Sequence, residues 1–265
     1  MSSLINENAV ILSNQQVGPR LHLMVLEAPE IAARVAPGQF VHMKVPRMDD
    51  HILRRPFSIY AADAAAGTVD ILYQVVGYGS DHMTGLEAGL CAELMGPVGT
   101  GWHAGENVER ALLVAGGVGA APLFMLAEQL VGRGVKLDVV LGAQTEQALV
   151  CRSRYEELLG CCPNCSTDDG TFGRPGFCTS LVEEALAVAE NEGRPYDYLA
   201  VCGPEPLMRI VARLAQAHGV PAQVSMEKRM ACGIGACLSC VVDTVDGKKR
   251  ACVDGPVFDS QKVVW

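Results

Sequence analysis

Ala111-Leu-Leu-Val-Ala-Gly-Gly-Val-Gly-Ala-Ala-Pro122 joins an unbroken apolar run to a glycine turn and then a proline. Five apolar residues without a polar break predict a strand buried on both faces, as in a parallel sheet. Gly116, Gly117 and Gly119 predict a tight turn, and Pro122 opens a helix running to about Gly132. The alternation continues downstream. Lys136 to Gly142 predicts a strand, Ser153 to Leu159 a short helix, and Ser180 with Glu183 a capping box for a helix ending at Gly193. Tyr198-Leu-Ala-Val-Cys202 predicts another buried strand and Pro204 to His218 another helix. Strand and helix in turn predict a Rossmann-like doubly wound parallel sheet.

That sheet localises one candidate site. Gly116, Gly117, Gly119, Ala120 and Pro122 lie between a strand and a helix, where free N–H groups and the helix dipole receive a pyrophosphate. The pattern departs from G-x-G-x-x-G, because Pro122 stands at the third glycine, and a tight turn alone is the bland reading. Cys202-Gly203-Pro204 begins at the carboxyl end of a strand, which places Cys202 near a nicotinamide unless it is simply a small buried residue. Asp168 and Asp169 sit in a turn-rich loop that could reach a ribose, although for either aspartate taken alone the residues favour a solvated acidic loop.

Upstream, the first hundred residues predict short strands with no convincing helix, for example Gly38 to Val45 and Val69 to Val76. Such spacing predicts an antiparallel barrel. Within it, Arg54-Arg55-Pro56-Phe57-Ser58 could grip a diphosphate with a guanidinium and offer a hydroxyl to a ring nitrogen, against the default of a solvated turn. Gly77-Tyr-Gly79-Ser80 supplies a second loop that a phosphate could approach.

Past about Ala222 the chain is cysteine-rich. Cys232, Cys237, Cys240 and Cys252 follow C-x4-C-x2-C-x11-C, the ligand rhythm of a plant-type [2Fe–2S] centre. Zinc also takes four thiolates, but zinc ribbons present two C-x2-C knuckles and only Cys237 and Cys240 form one here. The expected division is 1–104 for the barrel, 105–222 for the Rossmann-like domain and 223–265 for a small cluster domain held together by its metal.

Bulk properties narrow the class. A net charge of −9 with no Lys/Arg block argues against nucleic-acid binding. The apolar stretch 111–126 is broken by glycines and a proline and is too short to span a bilayer. Met1 to Glu7 lacks the basic and apolar regions of a secretory signal. Eleven cysteines without that signal predict a reducing cytoplasm rather than a disulfide framework. Cys161, Cys162 and Cys165 look like a metal knuckle but have no fourth ligand nearby. His22 and His42 have no catalytic neighbour in sequence and are expected to be structural. No catalytic residue is singled out by the residues alone.

Together Arg55-Pro-Phe-Ser58, Gly116 to Pro122, Asp168-Asp-Gly-Thr171, Cys202-Gly-Pro204, the cysteine run and Val253-Asp-Gly-Pro-Val-Phe258 resemble the ferredoxin–NADP reductase superfamily. The resemblance is closer still to the electron-transfer subunits of NADH-linked type B dihydroorotate dehydrogenases, over nearly the whole chain. It implies a Greek-key barrel binding FAD through Arg55 to Ser58, Leu72, Tyr73, Gln74, Gly79 and Ser80, with Ser80 where the family commonly has threonine. It implies NAD(H) as co-substrate, and an FMN-containing catalytic partner in a heterotetramer of two of each chain. Electrons from dihydroorotate would pass through the [2Fe–2S] centre and FAD to NAD+, in pyrimidine synthesis. At Gln144, the end of the second sheet strand, no arginine stands ready for a 2′-phosphate, although Arg152 and Arg154 follow, so NAD is expected over NADP. Small subunits of sulfide dehydrogenase and of NADH-dependent ferredoxin:NADP oxidoreductase share the layout and remain the alternative. Trp265 could pack on a cofactor or on a partner.

Overall fold

The computed structural model describes residues 4–265, so Met1, Ser2 and Ser3 of the amino-terminal segment read above lie outside them. Seven strands form the first sheet: β1 (Ile5–Gly18), β2 (Leu21–Glu27), β3 (Phe40–Lys44), β4 (Arg55–Ser58), β5 (Ala61–Asp63), β6 (Thr68–Gln74) and β7 (Cys91–Val98). Their order is β4-β3-β7-β1-β2-β6-β5, antiparallel throughout. One bent stretch carries both ends of that order. Arg55 to Ser58 pairs with β3, and Ala61 to Asp63, only two residues on, pairs with β6. The sheet is thereby drawn round into a barrel, with Ile11, Met24, Leu26, Val41, Ile71 and Leu94 buried inside.

Two short helices correct the expectation of a helix-free first hundred residues: α1 (Pro29–Ala32) and α2 (Tyr78–Met83). Both are too short for an apolar period to show in sequence. Each is started by polar contacts instead. The Glu7 carboxylate accepts from the amides of Glu30 and Ile31, and Ser80 Oγ accepts from those of Val76 and Gly77.

The second sheet comprises β8 (Arg110–Gly116), β9 (Lys136–Ala143), β10 (Asn164–Thr167), β11 (Arg174–Pro175), β12 (Tyr198–Cys202) and β13 (Ala222–Ser225), all parallel. Between them run α3 (Ala121–Gly132), α4 (Arg152–Leu159), α5 (Thr179–Asn191) and α6 (Glu205–Ala217). The capping box is absent. α5 starts from Cys178 with no side-chain cap, and Ser180 Oγ donates back to the Phe177 carbonyl at 3.2 Å.

Residues 241–250 form a hairpin, β14 (Val241–Thr244) with β15 (Gly247–Arg250). The chain then returns as β16 (Val257–Asp259), antiparallel to β13 and at the edge of the second sheet. A boundary at 222/223 therefore cuts β13, and the cysteine module is a loop out of that sheet. Its core is also shared. Cys240, Val242, Ala251, Cys252 and Val263 pack in one cluster with Val201 and Val224 of the sheet and with Phe40, Met95 and Val98 of the barrel. Trp265 is packed against this cluster, and its carbonyl accepts from Arg209 at 3.2 Å.

A second seam joins the barrel to α3 and α4. The Arg154 guanidinium lies 3.3 Å from the Asp70 carboxylate and over the rings of Tyr60 and Phe124, at 4.6 and 4.5 Å. Trp102 Nε1 donates to the Pro122 carbonyl at 2.8 Å, tying the end of the barrel to the first turn of α3.

Candidate functional site

Three clusters of chemistry-bearing residues meet along these seams. On the barrel, β4 presents Arg55 and Ser58, both half-buried. Arg54 and Arg55 play different parts. Arg54 is paired with the Glu93 carboxylate and donates to the Glu93 carbonyl at 2.9 Å, so it is engaged in holding β3 against β7. Arg55 donates only to the Leu53 carbonyl among the described residues, and its guanidinium covers Gly79. A Cβ at Gly79 would sit 2.9 Å from Arg55 Nε, so a side chain there would displace the guanidinium. The remaining guanidinium N–H groups fit a diphosphate.

The side chains of Ser80 and Tyr73 are both engaged within the barrel domain. The Ser80 hydroxyl is occupied with the first turn of α2 and donates to the Gly77 carbonyl at 3.0 Å. Tyr73 is buried inside the barrel, its hydroxyl donating to Asn14 Oδ1 at 3.0 Å and its ring stacked on His22. The cause is strand alternation: Tyr73 points inward, whereas Leu72 and Gln74 face outward, Leu72 toward the second sheet. His22 is packing, as expected.

The carboxyl ends of β8, β9 and β12 form the second cluster. Gly117 to Ala120 make a single 3₁₀ turn, and α3 follows with no side chain capping its amino end. The dipole at its amino end favours an anion. Gly119 is pressed against β12, where a Cβ would lie 2.4 Å from the Cys202 carbonyl oxygen. Gly203 and Gly116 back onto one another, with a Cβ on Gly203 only 3.0 Å from the Gly116 backbone. A narrow crevice lined by Ala115, Gly117, Ala120, Leu141, Gly142 and Cys151 opens at these strand ends. Cys202 is half-buried, its thiol pushed up to about 12 by burial, so it stays protonated at neutral pH.

Asp168 and Asp169 lie at the same edge, because their amides donate to the carbonyls of Ala143 and Gln144 at 3.0 and 3.2 Å. Asp169 accepts from the Thr171 amide and hydroxyl, which hold its carboxyl below the usual range and fix the loop. Arg152 lies over the Phe172 ring and 3.7 Å from Glu146, and Arg154 is bound to Asp70. Both arginines near Gln144 are thus committed to protein partners. Cys161 and Cys162 are exposed and Cys165 is buried at the start of β10. Among the described residues, neither they nor any other His, Cys, Asp or Glu side chains form a group of three converging on one metal ion.

The four carboxy-terminal cysteines come as two pairs. Cys240 and Cys252 have their sulfurs 3.3 Å apart, and the Cys237 amide donates to Cys232 Sγ at 3.4 Å. Two pairs suit two irons with two thiolates each better than one tetrahedral zinc. Left-handed backbone at Gly233 and Gly235, φ of 70° and 80°, curls the loop between the first pair. Hydrogen bonds from Ser239 and then Cys232 lower the exposed Cys237 thiol to about 6, while burial raises Cys252 to about 12. The thiolate is the ligand form, which those hydrogen bonds favour at Cys237 and burial disfavours at Cys252. Arg250 braces the loop, paired with Asp254 at 3.1 Å and 3.5 Å from the Gly235 carbonyl.

Sequence reasoning missed one residue here. His42, on β3, is fully buried with both ring nitrogens unpartnered, and burial, then Arg54 and Arg55, lower its pKa to about 4. Its ring lies against Gly233. Nothing in the order of residues 38–45 signals that contact with a loop two hundred residues away.

A barrel with a partly engaged guanidinium, a crevice at the ends of parallel strands and a paired-thiol module define an iron–sulfur flavoprotein oxidoreductase that uses a nicotinamide nucleotide. Residues 8–102 match the oxidoreductase FAD-binding domain and 113–213 the oxidoreductase NAD-binding domain. Residues 227–264 match the iron–sulfur cluster binding domain of dihydroorotate dehydrogenase B. The chain belongs to the family of dihydroorotate dehydrogenase B (NAD(+)) electron transfer subunits. It is 34% identical to that of Desulforamulus reducens and 36% identical to that of Bacillus caldolyticus, each over 97% of this chain and 98% of the relative. Among solved structures, the NADH-dependent reduced ferredoxin–NADP oxidoreductase is similar at a TM-score of 0.85 and 28% identity, covering 97% of this chain and 90% of that one. A ferredoxin reductase of carbazole 1,9a-dioxygenase shares the fold at a TM-score of 0.69 and 20% identity, covering 82% and 67%.

Proposed function

We propose that this chain passes electrons from dihydroorotate oxidation, performed by a separate FMN-containing catalytic subunit, to NAD+ in pyrimidine biosynthesis. The observation that carries the reading is the shared core, in which the cysteine loop touches β3 of the barrel while β16 completes the nucleotide-binding sheet. In our assignment Arg55, Pro56, Phe57 and Ser58 hold FAD, with Leu72, Gln74 and Gly79 forming the outer wall. Gly116 to Ala120, Pro122, Asp168, Asp169 and Cys202 to Pro204 receive NAD(H). Cys232, Cys237, Cys240 and Cys252 ligate a [2Fe–2S] centre. When bound, FAD supplies the exchange between the two electrons of a hydride and the single electrons of the cluster. This chain's residues position the carriers, exclude water at the seams and need move no proton on dihydroorotate.

NAD is favoured over NADP because Arg152 and Arg154 are already engaged. We place the protein in a reducing cytoplasm, consistent with eleven unpaired cysteines and with no helix long and apolar enough to cross a membrane among the described residues. An assembly of two of each chain is the expected stoichiometry. The similarity at a TM-score of 0.85 favours one second reading, a small subunit that serves an NADH-dependent ferredoxin:NADP oxidoreductase.

Co-purification decides between them by the chain recovered, an FMN-containing dehydrogenase or a larger iron–sulfur flavoprotein. The purified chain should carry flavin and about two irons and two acid-labile sulfides. It should not oxidise dihydroorotate alone and should support NAD+ reduction with its partner. One zinc per chain would overturn the cluster assignment, and dihydroorotate oxidation without a partner would overturn the division of labour.

Replacing Arg55 by alanine should weaken FAD binding roughly ten- to a hundredfold, since charge-assisted hydrogen bonds are worth about 1.5–3 kcal/mol and 1.4 kcal/mol is tenfold. Fluorescence titration of the apoprotein measures it. Unchanged affinity would remove Arg55 from the diphosphate.

A further inference from the structure

His42 is the one fully buried histidine, and neither of its ring nitrogens has a partner among the described residues. A histidine ring always carries at least one N–H, so the protein fold alone leaves a buried donor unmatched. More than nine in ten buried polar groups are matched, and an exception calls for an acceptor. The position shows where that acceptor lies. A Cβ built on Gly233 would stand 2.7 Å from His42 Nδ1 and 3.3 Å from its Cε1. The Nδ1 edge of the ring therefore faces the residue directly after Cys232, inside the curl of the cysteine loop.

On its other sides the ring is closed off. Met95 stands opposite His42 on β7, and its Cε also meets the Gly233 position, at 2.6 Å. Arg54 and Arg55 flank it, and neither can accept a hydrogen bond. His42 is also paired across β3 and β4 with Pro56, next to Arg55. It is the side chain that links the strand assigned to the flavin with the loop assigned to the cluster.

We propose that His42 is a positioning residue for the iron–sulfur centre, donating its ring N–H to the sulfur shell at the Cys232 end of the loop. The inference rests on the cluster assignment above. Hydrogen bonds to cluster sulfurs help set its potential, and an N–H donor stabilises the more negative, reduced form more strongly. His42 thus raises the potential of the centre and, beside Met95, helps hold the loop against the barrel.

The test is an EPR-monitored redox titration of the holoprotein with three substitutions. H42L fills the site without a donor and should lower the cluster midpoint by about tenfold in the one-electron equilibrium, about 59 mV. H42N places an amide nitrogen near the Nδ1 position and should recover most of that shift. H42Q places it near the Nε2 position and should not. A cluster midpoint equal to wild type in H42L, with iron and sulfide intact, overturns the proposal. So does a shift confined to the flavin midpoint, which would assign the donor to the flavin. If H42L fails to load or fold, H42N and H42Q decide, and equal midpoints in both would overturn it. Wild-type protein without iron would instead sink the cluster assignment, a separate failure.

Discussion

Cys237→Ser is expected to abolish the EPR signal of the reduced cluster and to reduce coupled turnover with the catalytic subunit to background, while NADH still bleaches the FAD. Cys237 suits the experiment because its side chain is exposed, so the substitution leaves the shared core untouched. Its thiol is drawn down to about 6, and serine supplies no thiolate in its place. The order of carriers makes the outcome asymmetric. Hydride exchange between nicotinamide and flavin needs only the barrel and the second sheet, whereas one-electron traffic to the partner needs the cysteine loop. Loss of NADH oxidation with an artificial two-electron acceptor would contradict that order.

Gly119→Ala is expected to lower kcat/KM for NADH by at least about tenfold and to cost roughly 1–3 kcal/mol of stability, the range for overpacking a filled site. For a chain of this size that is about 2–10 °C in Tm. The added methyl would lie 2.4 Å from the Cys202 carbonyl oxygen and 2.6 Å from its carbon, both backbone atoms that cannot swing aside. Relief requires the end of β12 to move away from the glycine turn, opening the crevice where the nucleotide is assigned. Gly132→Ala serves as the control, because nothing lies within 4 Å of its would-be Cβ and its backbone is helical. It should be neutral or slightly stabilising. Equal effects at both positions would remove the special role of Gly119.

Local signals carried most of the architecture. The run Ala111 to Ala115 is a central strand because five buried apolar residues in a row suit only an element covered on both faces, and β8 is flanked by β9 and β12. The turn after it, the helices from Ala121 and Glu205, and the strand at Tyr198 follow from equally local patterns. Illegible features depend on distant partners or on very few residues. Ser180 has the spacing of a capping box, yet the helix begins one residue earlier and the hydroxyl bonds backward. Ser80 offers a hydroxyl directly after Gly77-Tyr-Gly79, and only the fold reveals that it caps its own short helix. Tyr73 shows how a strand assigned as a unit conceals its alternation. The closing strand at Val257 is three residues long and is defined by its pairing with β13. His42 could not be singled out at all, because its neighbour Gly233 lies far along the chain.

The antiparallel pairing of Val257 to Asp259 with Ser225 to Gln223 also dictates an order of events during synthesis. Chains emerge amino terminus first, so β13 leaves the ribosome with its outer edge bare. That edge presents unpaired N–H and C=O groups, a template for any stray strand, until Val257 to Asp259 are made. All four cysteines precede the segment that seals it. The thiol loop thus precedes in sequence the strand that clamps its base, and the finished sheet edge shuts behind it.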